Sequence, residues 1–256
     1  MHNTRDIFEL FKRKYEFGEF RTIGNAVQQS KTIELQAVQF EVDKPWIVRE
    51  PNYDYFEREL EWYKSESLNV NDIQGGAPKM WKSCATPDGY INSNYGWMIW
   101  SKENHEQMSN CLNKLLDDPH TREACMIYQR PSMQVEYNKD GMHDFCCTYA
   151  VQCFLNEDDN DDLHLTYIVY MRSNDGVFGF NNDVLWHKYV QKMLADELAN
   201  KMNINKVICD NIIWNAGSLH IYERHFDILT DPKTTEHIEE YYKHKDVIGN
   251  ETDKIY

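Results

Sequence analysis

The sequence predicts an α+β fold, a three-layer α/β/α-like arrangement around one large, mostly buried mixed sheet. The chain has 256 residues, which is enough for one large domain with a full core. Its content of 41% hydrophobic and 13% aromatic residues is typical of folded globular proteins. Helical and strand-like segments are mixed along the chain, and several strand-like segments follow one another directly. We therefore expect a single domain over residues 1–256.

Periodic apolar residues predict the elements of the first half of the chain. A helix is expected at 4–16, where apolar side chains share one stripe. A strand is expected at 32–42, and its apolar alternation shifts phase between Leu35 and Val38, which suggests a β-bulge. An amphipathic helix is expected at 52–67.

The second half is predicted to contain most of the strands. Another amphipathic helix should cover 102–119 and end at its proline. Strands should follow at 124–129, 146–155 and 163–172. A long, largely buried helix is expected at 183–202 and a final strand at 218–226. The charged segment after Asp231 should be peripheral.

Charge and hydropathy exclude several classes of function. The formal charge of −15 argues against direct nucleic-acid binding, because phosphate backbones attract net-basic surfaces. The N-terminus has no apolar signal-peptide core, and no run approaches the roughly 18 apolar residues of a membrane span. We therefore expect a cytoplasmic protein without a membrane partner.

The seven cysteines suggest neither disulfides nor zinc. Their number is odd, and no CxxC pair occurs. We expect free thiols and no metal ion.

Two adjacent cysteines lie at the start of a predicted strand, in HDFCCTYAVQCF. On its own, this pattern is more often a pair of buried thiols than a nucleophile. A reactive thiolate needs a nearby positive charge, which Arg172 on the next strand could supply. Neighbours on a strand face opposite sides, so only one of Cys146 and Cys147 can enter a site, and the other packs.

The stretch RSNDGVFGFNND contains a more specific pattern. Arg172, Ser173, Asp175 and Gly179, with a polar residue four positions beyond the glycine, resemble the nucleotide-binding segment of the thymidylate synthase family. Further matches to that family are Cys147 at the nucleophile with Gln152 five residues later, His220 and Tyr222 in an H-x-Y pair, Glu59 three residues before a tryptophan, Trp81, Tyr95 followed by Gly96, and the segment DPHTRE.

The resemblance covers roughly residues 30–226. Within the family it is closest to the phage enzymes that hydroxymethylate deoxycytidylate, in RELEWYKSESL, INSNYGW and RPSMQVEYNKDGM. It implies the thymidylate synthase fold, a homodimer joined through its sheets, and 5,10-methylenetetrahydrofolate as cosubstrate. A viral protein of this kind would act in the cytoplasm of an infected bacterium.

The resemblance also implies roles for individual residues. Arg172 and Ser173 would meet the phosphate, with Arg122 from the partner subunit. Glu123 departs from the family, which has a second arginine there, and Arg21 is a candidate for another positive group. The remaining implied contacts are Gln152, Tyr95, His220 and Tyr222 with the nucleotide, and Asp175, Trp81 and Gly179 with the folate.

Asp183 stands where a thymidylate synthase carries asparagine, four residues beyond Gly179. Uracil presents a ring N–H donor beside a carbonyl acceptor, which an amide complements. Cytosine presents a bare ring nitrogen beside an amino donor, and a carboxyl group that carries a proton complements both. We therefore expect Asp183 to select deoxycytidylate, dCMP. The alternative is that Asp183 caps the N-terminus of the long helix.

These roles predict a mechanism in which Cys147 adds to carbon 6 of the base and Asp183 stabilises the charge on the ring nitrogen. Glu59 would act as general base for the water that completes the hydroxymethyl group. The alternative for Glu59 is an exposed helical glutamate. Reductive methylation, a dUMP or CMP substrate, and a non-catalytic nucleotide-binding subunit remain alternatives for the whole protein.

Overall fold

The computed structural model describes residues 1–24 and 29–248, in which helices and strands occur in mixed order. The α-helices are α1 (Thr4–Glu16), α2 (Tyr53–Lys64), α3 (Lys79–Cys84), α4 (Tyr95–Trp100), α5 (Gln107–Asp117), α6 (Ser132–Glu136), α7 (Gly179–Met202), α8 (Asp227–Thr230) and α9 (Pro232–Ile248). The strands are β1 (His2–Asn3), β2 (Arg21–Gly24), β3 (Gln29–Val42), β4 (Cys125–Ile127), β5 (Thr148–Glu157), β6 (Leu163–Met171), β7 (Asn174–Asp175), β8 (Ile208–Cys209) and β9 (Ile212–Tyr222). This composition confirms the α+β class. None of the described helices is long and apolar enough to span a membrane.

The chain forms two compact units, and the prediction of a single domain stays a prediction. The first unit comprises residues 1–51, 171–192 and 211–256. Its sheet is mixed, because β3 pairs antiparallel with β2 and β9 and parallel with β1, while β7 runs parallel to β9. Its core includes the fully buried rings of Phe40, Phe180 and Trp214, whose centroids are 5.3–5.8 Å apart in successive pairs.

The phase shift predicted in β3 occurs at Ala37, which has a positive φ of 50°. The buried residues of the paired strand β9 change phase at the same level, between Ala216 and Leu219. However, Gln36 pairs with Ser218 and Val38 pairs with Ala216, so the pairing register of β3 with β9 is the same before and after Ala37. A one-strand bulge would insert an extra residue and change that register. Both strands therefore bend together, which differs from the predicted bulge.

The second unit comprises residues 52–170 and 193–210. In its sheet, β5 lies beside β6 and pairs antiparallel with β4, and β6 pairs parallel with β8. Helix α2 begins after Asn52, whose side chain accepts the amide N–H of Tyr55 at 3.0 Å. Helix α4 lies directly against α2, because a Cβ on Gly96 would be 1.9 Å from the carbonyl oxygen of Tyr63. Only glycine fits there, and this contact positions the adjacent Tyr95.

The ends of several predicted elements were wrong. The helix expected at 102–119 is a short 3₁₀ turn followed by α5, because His105 and Glu106 both have left-handed backbone angles. The long helix begins four residues earlier than predicted, at Gly179. The last strand begins at Ile212 and ends at Tyr222, so it is displaced toward the N-terminus of the predicted segment.

The charged C-terminal segment forms α9, which packs through the buried side chains of Ile238 and Tyr242. The hydroxyl of Tyr242 lies 2.9 Å from the hydroxyl of Thr4 at the start of α1. The buried Nζ atom of Lys44 lies 5.2 Å from the ring centroid of Tyr242 and 3.4 Å from that of Trp46. The segment is thus packed against its unit rather than wholly peripheral.

Candidate active site

The segment between β6 and α7, in the first unit, carries the predicted phosphate contacts Arg172 and Ser173 and the predicted folate contact Asp175. Strand β7 pairs with β9 so that Asp175 lies opposite His220, and the amide N–H of Gly176 donates to the His220 carbonyl at 2.8 Å. A Cβ on Gly179 would lie 3.5 Å from the Cβ of Asp175. This close packing brings Asp175, Gly179 and His220 together.

Asp183 lies one full turn inside α7, whose first residue is Gly179. The N-cap alternative is therefore wrong, since a cap must precede the helix. The Oδ2 atom of Asp183 accepts a hydrogen bond of 2.7 Å from the side-chain amide of Asn174. Asn174 is 3% exposed. The sequence analysis missed Asn174, although it stands between two predicted site residues in RSND.

His220 is a buried, neutral imidazole in this unit. Its Nδ1 lies 3.3 Å from the hydroxyl of Ser218, and its ring meets Tyr222 edge to face at 4.9 Å. Burial lowers the pKa of His220, although the nearby carboxylate of Asp175 opposes that change. A neutral imidazole beside a tyrosine is suited to bind a sugar hydroxyl rather than to neutralise a phosphate.

Arg21, the candidate for an additional phosphate contact, forms an ion pair with Glu34. Burial raises the pKa of Glu34, but hydrogen bonds from Ser218 and Arg21 outweigh it, so the pKa lies below its usual value. Glu34 is therefore a carboxylate at neutral pH, and it competes with any anion for Arg21.

Glu59 is the centre of a buried polar cluster in the second unit. It is 3% exposed, so the alternative of an exposed helical glutamate is wrong. Its Oε1 accepts hydrogen bonds from Nε1 of Trp81, at 2.7 Å, and from the hydroxyl of Tyr55. Burial raises the pKa of Glu59, while these two donors lower it. Tyr55 was not predicted, although its spacing of four residues on α2 places it on the same face as Glu59.

The two adjacent cysteines differ in burial, although both precede β5 instead of lying on it as predicted. Cys146 is 1% exposed, and its Sγ donates to the carbonyl of Thr148 at 3.4 Å. Burial raises the pKa of the Cys146 thiol well above its usual value, which makes it a poor nucleophile. Cys147 is half-buried and directly precedes β5. The Thr148 hydroxyl donates to the hydroxyl of Tyr95 at 3.1 Å, which links the start of β5 to α4.

A buried carboxylate anchors the segment that leads to Cys147. Asp144 accepts hydrogen bonds from the backbone N–H groups of Asn92 and Ser93, at 2.8 and 2.7 Å, and from the Ser93 hydroxyl at 2.7 Å. These contacts restrain the backbone three residues before Cys147. They also tie this segment to Asn92 and Ser93, which directly precede the N-cap residue of α4, Asn94.

Gln152 lies on the face of β5 opposite the buried side chains of Val151 and Cys153. Its amide donates to the backbone carbonyl of Arg122 at 2.9 Å. This contact holds the exposed Arg122 segment against β5. A direct contact between Gln152 and a nucleotide stays a prediction.

Glu123, where the family has an arginine, forms an ion pair with Lys114 of the same unit. Its carboxylate lies 2.5 Å from the ammonium of Lys114, and both side chains are exposed. The hydrogen bond from Lys114 holds the pKa of Glu123 below its usual value. Glu123 therefore does not add an uncompensated negative charge beside Arg122.

Each unit contains some of the predicted site residues. The first contains the carboxyl group of Asp183 held by an amide, and the neutral imidazole of His220. The second contains the half-buried thiol of Cys147 and the buried carboxyl group of Glu59. Among the described residues, no group of three or more histidine, cysteine and acidic side chains is arranged to hold a metal ion.

Comparisons with known proteins identify relatives of the chain. The family model "Thymidylate synthase" matches residues 27–241. The deoxycytidylate 5-hydroxymethyltransferase of Enterobacteria phage T4 is 49% identical over 199 residues, which covers 78% of this chain and 79% of that protein. The protein of the same name from phage T2 is 50% identical with the same coverage. The structure of thermostable thymidylate synthase A from Bacillus subtilis is 23% identical, with a TM-score of 0.56, and covers 78% of this chain and 70% of that one, which shows the same fold.

Proposed function

The chain belongs to the thymidylate synthase family, and we propose that within it the protein transfers a hydroxymethyl group to carbon 5 of deoxycytidylate. The observation that carries this proposal is the identity of about half of the aligned residues to phage enzymes of that name. The similarity to phage proteins also favours the cytoplasm of an infected bacterium as the compartment.

Selection of cytosine is assigned to Asp183. A carboxyl group that carries one proton can donate to the ring nitrogen N3 and accept from the 4-amino group. The 2.7 Å hydrogen bond from Asn174 supports this role, because it restrains the carboxyl plane. Uracil would leave the same groups mispaired, at a cost of about 1–3 kcal/mol for each buried group.

The proposed nucleophile is Cys147. Carbon 5 of cytosine reacts as a nucleophile only after a group has added to carbon 6, and a thiolate can form that bond reversibly. The contrast with Cys146 supports the assignment, because Cys147 is half-buried while Cys146 is 1% exposed and engaged with Thr148.

Glu59 is proposed to accept the proton of the water that becomes the new hydroxyl group. Burial raises the pKa of Glu59 above its usual value, which makes its carboxylate a stronger base. The hydrogen bonds from Trp81 and Tyr55 both end on Oε1, so they fix the orientation of the carboxyl group.

The cosubstrate in this proposal is 5,10-methylenetetrahydrofolate, which supplies a one-carbon unit at the oxidation level of formaldehyde. The residues fit an aromatic ligand. Trp81 is half-buried, pinned through Nε1 by Glu59, and meets Trp62 edge to face at 5.4 Å. A rigid indole with a partly accessible face can stack on the pterin ring. Asp175 and Gly179 remain proposed contacts of the same ligand.

The nucleotide itself is proposed to be held by the remaining predicted residues. Arg172 and Ser173 would bind the phosphate, while His220 and Tyr222 would bind the sugar hydroxyl, as the neutral state of His220 favours. The protein is proposed to act as a homodimer in which Arg122 meets the phosphate of the partner subunit. The other proposed nucleotide contacts are Tyr95 and Gln152.

Incubation with methylenetetrahydrofolate and either dCMP or dUMP, followed by mass spectrometry of the nucleotide, tests the proposal. We expect dCMP to gain one CH₂O and dUMP to remain unchanged. A gain of CH₂ instead would indicate reductive methylation. Product from dUMP alone would contradict the role of Asp183.

A further inference from the structure

The side-chain amide of Asn174 contacts the carboxyl group of Asp183 through its nitrogen and not its oxygen. Asn174 is 3% exposed, and its amide nitrogen donates to Oδ2 of Asp183 at 2.7 Å. Its amide oxygen is buried without a hydrogen-bond partner among the described residues. Among the described residues, the amide therefore makes its hydrogen bond through its N–H group alone.

The orientation of this amide decides where a proton on Asp183 can reside. The N–H group of Asn174 donates to Oδ2, and a carbonyl oxygen accepts a hydrogen bond more strongly than a protonated oxygen, so this contact favours a carboxyl proton on Oδ1. The carboxyl group then offers one donor and one acceptor, the pattern that complements N3 and the 4-amino group of cytosine. With the amide reversed, the proton would reside on Oδ2 and Oδ1 would be an acceptor, which complements the N3–H group of uracil.

We propose that Asn174 is a positioning residue that makes Asp183 selective for cytosine, because its N–H group fixes the carboxyl proton on Oδ1. The inference deepens the proposed function and rests on its assignment of Asp183 to the base. Asn174 itself acts through Asp183 and has no assigned contact with the nucleotide.

The residues around the Asn174–Asp183 pair fix the backbone of Asn174 and lie at ordinary contact distances. Strand β7 fixes the backbone of Asn174 by pairing it with Leu219. A Cβ on Gly179 would lie 3.6 Å from the amide nitrogen of Asn174 and 3.9 Å from Oδ2 of Asp183, an ordinary contact distance. Gly179 therefore leaves ordinary contact space beside the pair. An Asn174→Leu substitution removes the N–H donor and keeps the branching at Cγ, although the leucine side chain is larger.

The experiment measures discrimination between the two nucleotides in Asn174→Leu and Asn174→Ser. A leucine has no donor, and a serine hydroxyl can donate or accept, so both remove the preference for one proton position. The ratio of kcat/KM for dCMP to that for dUMP is measured by competition in one mixture, so the fraction of folded enzyme cancels. The same ratio is measured for binding, as Kd values from calorimetry without cosubstrate.

Asn181→Leu is the matched control. Asn181 is also 3% exposed, donates through its amide to the carbonyl groups of Arg49 and Val177 at 2.9 and 3.2 Å, and has an unpaired amide oxygen among the described residues. Its substitution removes a buried amide without removing a hydrogen bond to Asp183. We expect the dCMP/dUMP ratio to fall about tenfold in both Asn174 variants and to stay at the wild-type value in Asn181→Leu.

The outcomes separate this inference from the proposed function. Wild-type turnover of dCMP with an unchanged ratio in both Asn174 variants would overturn the inference alone. Absence of wild-type product would overturn the proposed function, and the Kd ratios would then decide the inference. If the wild type binds dCMP more tightly than dUMP and both Asn174 variants lose this preference, the inference about Asn174 is supported. If the wild type binds the two nucleotides equally, that inference is overturned.

Discussion

The hydrogen bonds to Glu59 predict a measurable shift in the pH dependence of turnover. Tyr55 and Trp81 both donate to Oε1 of this buried carboxyl group and favour its ionised form. A hydrogen bond is worth roughly 1.5–3 kcal/mol to a charged group and roughly 0.5–1.5 kcal/mol to a neutral one, so each donor favours the ionised form by about 1–1.5 kcal/mol. Removing one donor, in Tyr55→Phe or Trp81→Phe, should therefore raise the pKa of Glu59 by about one unit.

The sign of the effect on activity follows from the role of Glu59 as a base. The active form is the carboxylate, which is lost as the pH falls through the pKa of Glu59. A higher pKa moves the acidic limb of the kcat profile to higher pH, by about one unit in each variant. The assay is hydroxymethyl-dCMP formation under saturating substrates across the pH range.

A matched control removes a different buried tyrosine hydroxyl from a different carboxylate. The hydroxyl of Tyr242 donates to Oδ1 of Asp43 at 3.2 Å. Tyr242→Phe should lower stability without moving the acidic limb. If the limb stays in place in both Tyr55→Phe and Trp81→Phe, Glu59 is not the group that must be ionised, and the assignment fails.

Three further predictions concern the thiols, a buried lysine and a helix contact. Cys147→Ser should abolish both product and the covalent adduct with 5-fluoro-dCMP and cosubstrate, whereas Cys146→Ala should retain the adduct; adduct formation by Cys147→Ser would rule out this nucleophile. Burial lowers the pKa of Lys44 to about 7, so between pH 7 and 9 only the unfolded chain holds that proton and stability should rise by about 2 kcal/mol. Urea unfolding of Lys44→Met should lack this rise, and an equal rise in the variant would contradict the reasoning. Gly96→Ala should lower the free energy of unfolding by at least about 2 kcal/mol, because the new methyl group would overlap the Tyr63 carbonyl. An unchanged urea midpoint would show that α2 and α4 can move apart at no cost in stability, which would contradict this prediction.

The sequence was sufficient for features that depend on local pattern. Helix α1 has its predicted bounds, because Asn3 caps it and an apolar stripe runs along it. The alternation of β6 correctly predicted its buried face through Leu165, Tyr167 and Val169. The family itself was also predicted correctly from motifs whose spacing is fixed by chemistry.

Features that depend on contacts between distant segments were not predictable. The sequence does not show that Trp81 on α3 reaches Glu59 on α2, and without that contact the glutamate looks exposed. The start of α7 was placed too late because Asp183 is a good capping residue, while the amide of Asn181 satisfies the Val177 carbonyl one turn earlier. The contact of Asn174 with Asp183 likewise exists only after β7 and α7 are folded.

The most direct test of the central claim is turnover of dCMP in water enriched in ¹⁸O. The account predicts that the added hydroxymethyl group carries one ¹⁸O atom, since water completes the reaction with Glu59 as base. A product that gains only CH₂, with no oxygen from solvent, would show that hydride rather than water completes the reaction and would contradict the proposed function.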